Sequence, residues 1–318
     1  MREPIYVWRY ALKSRAELNA VSGRTEFEGA LIRIGEGFGC LHPWPELGDP
    51  GLEDLLGELR SDAVVSGLAK GAVSMSTSDA RWRRRGESML DEVEQDIPES
   101  HATLPECTVE TVTKAVGRGF SVIKVKGRRD FPELAERIDG LSRHWPHLMW
   151  RIDFNEVLTR DETLEFVQGM TDQVRKRIDF LEDPCPWKEE DWDEIRRVAR
   201  LQLALDRSVR WPAPRADVVV LKPARGDVAT GPWESKRLVF TSNMDHPLGQ
   251  CFAAWRAGQL VSSGSTVDIC GLQTHELFER CRLLKRCLGL QVLQPPRVRQ
   301  RLEPPGLPVR LRADQRPR

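Results

Sequence analysis

Three short apolar runs in the middle of the chain each finish on a carboxylate, and their spacing constrains the fold more than any other feature. Arg151-Ile152-Asp153-Phe154-Asn155 places Asp153 and Asn155 on one face of a strand, Phe180-Leu181-Glu182 ends on Glu182, and Leu203-Ala204-Leu205-Asp206 ends on Asp206. Glu182 follows Asp153 by 29 residues and Asp206 follows Glu182 by 24. One strand plus one helix of an eightfold parallel barrel takes roughly 31 residues. Three such strands in succession would bring their carboxylates side by side on one rim. A single Asp at a strand end ordinarily caps the next helix, but three in register exceed what capping requires.

Lysines flank this arc. In Val122-Ile123-Lys124-Val125-Lys126 the period of two puts Lys124 and Lys126 on one face, which is either a barrel interior or an exposed edge protected by charge. In Val218-Val219-Val220-Leu221-Lys222, Lys222 shares the face of Val218 and Val220. Three hard oxygen donors without His or Cys suit Mg²⁺, with Mn²⁺ as a substitute. A metal that stabilises an enediolate, beside a lysine whose pKa a nearby cation lowers, can remove a proton α to a carboxylate.

The surrounding pattern alternates strands and helices. Strands are expected at 102–104, 121–126, 148–155, 178–182, 202–206, 218–222, 238–242 and 265–269, with amphipathic crossovers at 131–144 and 161–177. Eight strands over this length predict a closed α/β barrel. The competing open doubly wound sheet lacks both a GxGxxG turn and a P-loop. Lys222 follows Asp206 by only 16 residues, interrupted by Pro212 and Pro214, and 226–236 is also short, so crossover helices 5 and 6 are expected to be shortened or missing. Earlier in the chain, 5–12 and 29–34 read as strands, Gly35, Gly37 and Gly39 as punctuation, and 52–59 and 64–90 as helices. The expected division is an α+β capping domain at 1–98, a barrel at 99–290, and a Pro/Arg-rich segment at 291–318 that in part returns to the cap and is in part flexible.

Composition narrows the partners. With 48 Lys+Arg against 48 Asp+Glu the chain has no net field to hold a polyanion, so a small molecule is expected rather than nucleic acid or a membrane surface. The basic run Arg81, Arg83, Arg84 and Arg85 reads as a solvated helix face because Asp79, Glu87, Asp91 and Glu92 accompany it. An RNA-binding role for the basic tail would call for aromatics that it lacks. No stretch reaches the ~20 apolar residues of a membrane span, and the N-terminus lacks the apolar core of a signal peptide. The 7 cysteines are scattered without a CxxC pair, which suits a reducing cytoplasm. The 6 histidines lack ligand spacing. Oligomeric state is left open.

Lys-x-Lys, Asp-x-Asn, Glu-Asp-Pro, Leu-Asp-Arg-Ser and Lys-Pro, in this order on successive strands, resemble the enolase superfamily in its muconate-lactonizing subgroup. The segments RIDFNE, FLEDPCPW and TSNMDHPLG are similar to the o-succinylbenzoate synthase family within it. The resemblance implies a modified TIM barrel, (β/α)7β, closed by an N-terminal α+β cap. It implies a hydro-lyase of menaquinone biosynthesis acting on a small carboxylate substrate. Asp153, Glu182 and Asp206 would bind Mg²⁺, with Asn155 supporting them. Lys126 would take the α proton and return it to the leaving hydroxyl, Lys124 would assist electrostatically, and Lys222 would stabilise the intermediate from the opposite face. Ser242 and Asn243 would cradle the succinyl side of the substrate. Three positions depart from the family pattern: Arg207 stands where an acid is usual, Asp245-His246-Pro247 replaces Glu-Ser-Ser, and Gly37-Phe38-Gly39-Cys40 lacks the final carboxylate of Gly-x-Gly-Glu.

Two rivals share these residues. Lysines on opposite faces would also serve N-acylamino acid racemisation or dipeptide epimerisation. A barrel with eroded crossovers could also persist as a catalytically inactive binding or scaffold protein, although such a barrel would have no need to keep the complete set of lysines and carboxylates.

Overall fold

The computed structural model describes residues 3–61, 64–207, 209, 215–226 and 236–279. The chain begins with an antiparallel meander of β1 (Ile5–Lys13), β2 (Glu26–Ile34) and β3 (Gly37–Leu41), backed by α1 (Leu52–Arg60) and α2 (Gly67–Arg85). Gly35 opens the two-residue turn between β2 and β3 with φ 57°, which the tight hairpin requires. Gly37 and Gly39 do not punctuate the chain as expected but lie within β3, because α2 packs there backbone to backbone. A Cβ on Gly37 would sit 1.9 Å from the Ser76 carbonyl oxygen, and one on Gly39 2.1 Å from that of Ala72. Ser76 Oγ donates to the Gly37 carbonyl (2.8 Å) and the Phe38 amide donates to Asp79 Oδ2 (2.8 Å), fixing the approach. Arg83 pairs with Asp79 at 2.5 Å and Arg84 with Glu36 at 3.9 Å, so the basic end of α2 is a helix face balanced by acids.

The remainder alternates: β4 (Ala102–Leu104), α3 (Val109–Gly117), β5 (Val122–Lys126), α4 (Phe131–His144), β6 (Met149–Asp153), α5 (Arg160–Gln168), α6 (Asp172–Arg175), β7 (Ile178–Glu182), α7 (Glu189–Ala199), β8 (Leu203–Leu205), β9 (Val218–Leu221), β10 (Arg237–Phe240) and α8 (Pro247–Ser262). The seven strands form one curled parallel sheet in chain order. The ring is closed by 268–271: the Gly271 amide donates to the Phe240 carbonyl (2.7 Å) on one side, and the His101 amide donates to the Cys270 carbonyl (2.7 Å) on the other. The eighth strand thus pairs at Cys270 and Gly271, slightly beyond the expected 265–269.

Two boundaries differ from expectation for local reasons. The crossover at 161–177 is two helices, because Thr171 caps a new helix by accepting from the Val174 amide. The 64–90 zone is helical only to Arg85, where Gly86 adopts the left-handed conformation that ends α2. The expected loss of crossover helices 5 and 6 concerns mainly 208, 210–214 and 227–235, which lie outside the described residues, as does the segment 291–318.

Burial follows the alternation of the strands. Ile123, Val125, Trp150, Ile152 and Leu181 face the helix layer, while Phe180, Ala204, Val218, Val220 and Val239 fill the barrel interior. Arg151 plugs the far end, donating to the Ile269 carbonyl (2.6 Å) and Asp179 (2.7 Å) and lying 4.6 Å from the Phe180 ring centre. Among the described residues no helix is long and apolar enough to cross a membrane. Gly37→Ala, which inserts a methyl group into the β3–α2 contact, should lower stability by about 1–3 kcal/mol in urea unfolding. An unchanged midpoint would show that strand and helix do not meet there.

Candidate active site

Strand register builds the site. Lys126 is the register partner of Asp153, and Asp153 of Glu182, so three neighbouring strands align their last charged residues. A slip of one residue would turn each of them out of the barrel. The side chains meet in the mouth: Lys124 Nζ lies 2.6 and 2.7 Å from the two Glu182 oxygens and 2.9 Å from Asp153, and Lys126 Nζ lies 2.5 Å from Asp153. Lys222 binds Asp206 on the other side. The lysines of β5 therefore line the interior, and the edge-strand alternative does not hold.

Burial and charge act on these groups in opposite senses. Burial works against the Lys124 charge, yet Asp153, Glu182 and Asp206 together hold its pKa above the ordinary lysine value. Burial also opposes ionisation of Asp153 and Asp206, and here the lysines prevail, so both remain below the usual carboxylate range. Glu182 goes the other way, pushed up to about 7 first by burial and then by the Asp153 charge. The donors are all oxygens, which fits a hard divalent cation. Each acid is matched by a lysine instead, and among the described residues no three His, Cys, Asp or Glu side chains are already drawn into a metal-binding group.

The loops after the strands carry backbone strain. Asn155, Glu156, Asp183 and Met244 all have positive φ (50°, 64°, 42° and 50°) directly beyond β6, β7 and β10. Asn155 donates its amide to Asp153 Oδ1 (3.0 Å), and its side-chain oxygen faces Lys126 Nζ (3.4 Å) and the Ala20 amide of the cap (3.5 Å). Asp183 was not singled out from the sequence, although it stands in the Glu-Asp-Pro motif. Its buried carboxylate accepts from the Asp206 (3.2 Å) and Arg207 (2.9 Å) amides, and burial, then the neighbouring Asp206, raises its pKa well above the ordinary value. Arg207 braces the rim by donating to the Asn155 carbonyl (3.1 Å) and to the Leu47 carbonyl of the cap (3.3 Å), and pairs with Glu156 (3.1 Å).

Ser242 and Asn243 sit on this rim, fully buried, with their side chains committed to protein partners. Ser242 Oγ lies 2.6 Å from Thr274 Oγ1, and Asn243 Nδ2 donates to the His42 carbonyl (2.8 Å) while its Oδ1 accepts from Arg225 (3.0 Å). The cap closes over them: Trp44 Nε1 donates to the Asn243 carbonyl (2.8 Å), and Leu18, Phe27, Trp44 and Met244 form an apolar cover.

Beside the site the cap and rim bury a second polar group. Tyr10 OH lies 3.0 Å from His42 Nδ1 and 3.2 Å from Cys40 Sγ, and its ring stacks on His42 at 5.7 Å. His246 packs 5.3 Å from the same ring, and its Nδ1 accepts from the Leu248 amide (3.2 Å), which puts the ring proton of the neutral form on Nε2. Burial pushes His42 down to about 3 and His246 to about 4, so both are neutral. Asp245 is 1% exposed and neither of its oxygens accepts a hydrogen bond from a described residue. Burial lifts it from 3.8 to about 7, against the pull of its own backbone and of Arg225. No periodicity marks these residues, since their contacts cross from cap to barrel.

Two family models match the chain: O-succinylbenzoate synthase, N-terminal domain, over residues 5–82, and Enolase C-terminal domain-like, over residues 108–222. The o-succinylbenzoate synthase of Bdellovibrio bacteriovorus is 30% identical over 291 residues, covering 85% of this chain and 86% of that protein. Among solved structures, a substrate-liganded L-Ala-D/L-Glu epimerase from Bacillus subtilis aligns with a TM-score of 0.71 at 14% identity, over 88% of this chain and 91% of that one. An o-succinylbenzoate synthase from Thermosynechococcus elongatus, complexed with Mg in the active site, aligns with a TM-score of 0.64 at 16% identity, over 88% and 95%. At these identities the two structures speak for the fold alone.

Asp245 yields a pH prediction. Because folding raises its pKa, its contribution is most favourable in acid and declines as pH rises toward about 7. Between pH 5 and 8 the stability of Asp245→Asn relative to the parent should therefore improve, by about 2–3 kcal/mol. Parallel urea titrations check this, and a constant difference across that range would mean that the carboxyl is not held in this environment.

Proposed function

Because the chain belongs to the o-succinylbenzoate synthase family of the enolase superfamily, whose members are lyases, we propose that it carries out the Mg²⁺-dependent syn dehydration of a succinyl-hydroxycyclohexadiene carboxylate to o-succinylbenzoate in menaquinone biosynthesis. The observation that carries this reading is the buried layer in which Lys124 bridges Asp153 and Glu182 and Lys126 pairs with Asp153, with Lys222 on Asp206 at the far side. We assign the catalytic barrel to 99–290, the cap to 1–98, and the reaction to the cytoplasm.

In this proposal Asp153, Glu182 and Asp206 would hold Mg²⁺, with Asn155 supporting Asp153, and the ion when bound would supply positive charge toward the substrate carboxylate. Lys126, drawn toward the mouth by Asp153 and Asn155, takes the α proton, and the electrons of that C–H bond move into the ring. The ring carbon–oxygen bond then breaks on the same face, and Lys126 returns its proton to the departing hydroxyl, releasing water and leaving the aromatic product. Lys124 holds positive charge beside Glu182 and Asp153 throughout. Lys222, on the opposite flank, places a cation against the ring as negative charge develops. Ser242 and Asn243 shape the loop against which the succinyl side lies, since their side chains are held by Thr274, Arg225 and the cap.

Lysines on both flanks also serve racemisation or epimerisation of N-acylamino acids and dipeptides, and one assay separates the readings. Ultraviolet detection of o-succinylbenzoate should show turnover with Mg²⁺ and none with EDTA. Lys126→Ala and Lys222→Ala should each lose about 10²–10⁴-fold while keeping the circular dichroism of the parent. A folded parent that binds Mg²⁺ but forms no product would sink the dehydratase and redirect the search to racemase or epimerase substrates.

A further inference from the structure

The segment that carries Lys222 is gripped from outside the barrel. Immediately beyond β9 the chain makes one turn of 3-10 helix, Pro223–Arg225, whose hydrogen bond runs from the Arg225 amide to the carbonyl of Lys222 itself (2.8 Å). This turn abuts α2 of the cap at a separation that only glycine allows. A Cβ on Gly71 would lie 2.2 Å from the Ala224 carbonyl oxygen, and one on Gly67 2.2 Å from that of Arg225. On its other side α2 rests on β3 through Gly37 and Gly39 in the same manner. Backbone therefore meets backbone on both sides of the helix, with no flexible side chain between to absorb a displacement. Arg225 adds a polar clamp. Its guanidinium binds Asp49 of the cap with two bonds (2.7 and 2.8 Å), its Nε donates to Asn243 on the rim (3.0 Å), and Asp49 also accepts from the Trp44 amide (2.8 Å).

We infer that Gly67 and Gly71, together with the Arg225–Asp49 pair, are positioning residues for Lys222, so that the cap sets where this lysine stands on the barrel mouth as well as covering the pocket. The inference rests on the role proposed for Lys222. Lys126, at the end of β5, has no comparable backbone contact with α2 among the described residues; the cap reaches that flank through side chains, the Ala20 amide meeting Asn155 Oδ1 (3.5 Å), which also faces Lys126.

The test combines kinetics with a crystal structure. Gly71→Ala should lower kcat roughly tenfold, and at most about 100-fold, with KM little changed, as expected for a misplacement near 1 Å. Asp49→Asn should lower kcat less, and Asp49→Glu should restore part of that loss. In the Lys222→Ala background neither Gly71→Ala nor Asp49→Asn should reduce turnover further. The crystal structure of Gly71→Ala should show Lys222 displaced relative to Asp206, with Lys126 still on Asp153. Losses that multiply with that of Lys222→Ala, or an unmoved Lys222, would overturn the inference while leaving the proposed reaction intact. A Lys222→Ala variant with full turnover would instead remove the proposed role of Lys222, and the inference with it. If Gly71→Ala does not fold, Asp49→Asn carries the test, because it adds no atom between α2 and the turn.

Discussion

Everything at the mouth of this barrel follows from the cost of burying charge. Lys124, Asp153, Glu182 and Asp206 are almost entirely removed from water, and Lys126 and Lys222 nearly so. Each ion taken out of water alone would cost several kcal/mol. The cost is offset by alternation, lysine against acid, and alternation is possible only while the strands keep their register. The pairing of Lys126 with Asp153 and of Asp153 with Glu182 is thus both a hydrogen-bonding pattern of the sheet and the condition for neutrality of the site. Glu182, with its pKa raised to about 7, marks where the compensation is least complete.

This condition is why so much was legible in the sequence. A period of two fixes which face of Val122–Lys126 is charged, and the spacing of Asp153, Glu182 and Asp206 fixes which strands are neighbours, so barrel, register and charged layer all follow from local pattern. What escaped the sequence depends on contacts between distant segments. Gly37 and Gly39 read as turn residues because nothing in their neighbourhood announces that α2 lies against them. The closing strand pairs at Cys270 and Gly271 because its partners, Phe240 and His101, determine the register and its own composition does not. Asp183 stood in a quoted motif, yet its service to the Asp206 and Arg207 amides comes from a positive φ that turns it toward the next strand.

The cap supplies what the charged layer lacks. Trp44, Phe27, Leu18 and Met244 bring apolar bulk to the rim, while Arg207, Asn243 and Arg225 tie that bulk to individual barrel loops through Leu47, His42 and Asp49. An apolar cover raises the strength of every charge interaction beneath it by excluding water. Cap and charged layer are therefore interdependent: without the layer the cover would close over nothing polar, and without the cover the lysines and carboxylates would be solvated and weakly coupled.

Stability alone would not retain such a layer. Replacing a buried ion pair by well-packed apolar side chains is often neutral or favourable by about 1–4 kcal/mol, and the barrel interior one layer below is largely filled in that way, with Phe180, Ala204, Val218, Val220 and Val239 packed beside the Arg151 guanidinium. The change from apolar filling to acid happens within single strands, from Phe180 to Glu182 on β7 and from Ala204 on β8 to Asp206, whereas β6 carries Arg151 below Asp153. The ions stand at the carboxyl ends of the strands, the end at which barrels of this kind carry their active sites. A fold that can fill most of its interior with valine and phenylalanine, and that gathers six ions beneath the cover, uses those ions for chemistry on a bound molecule.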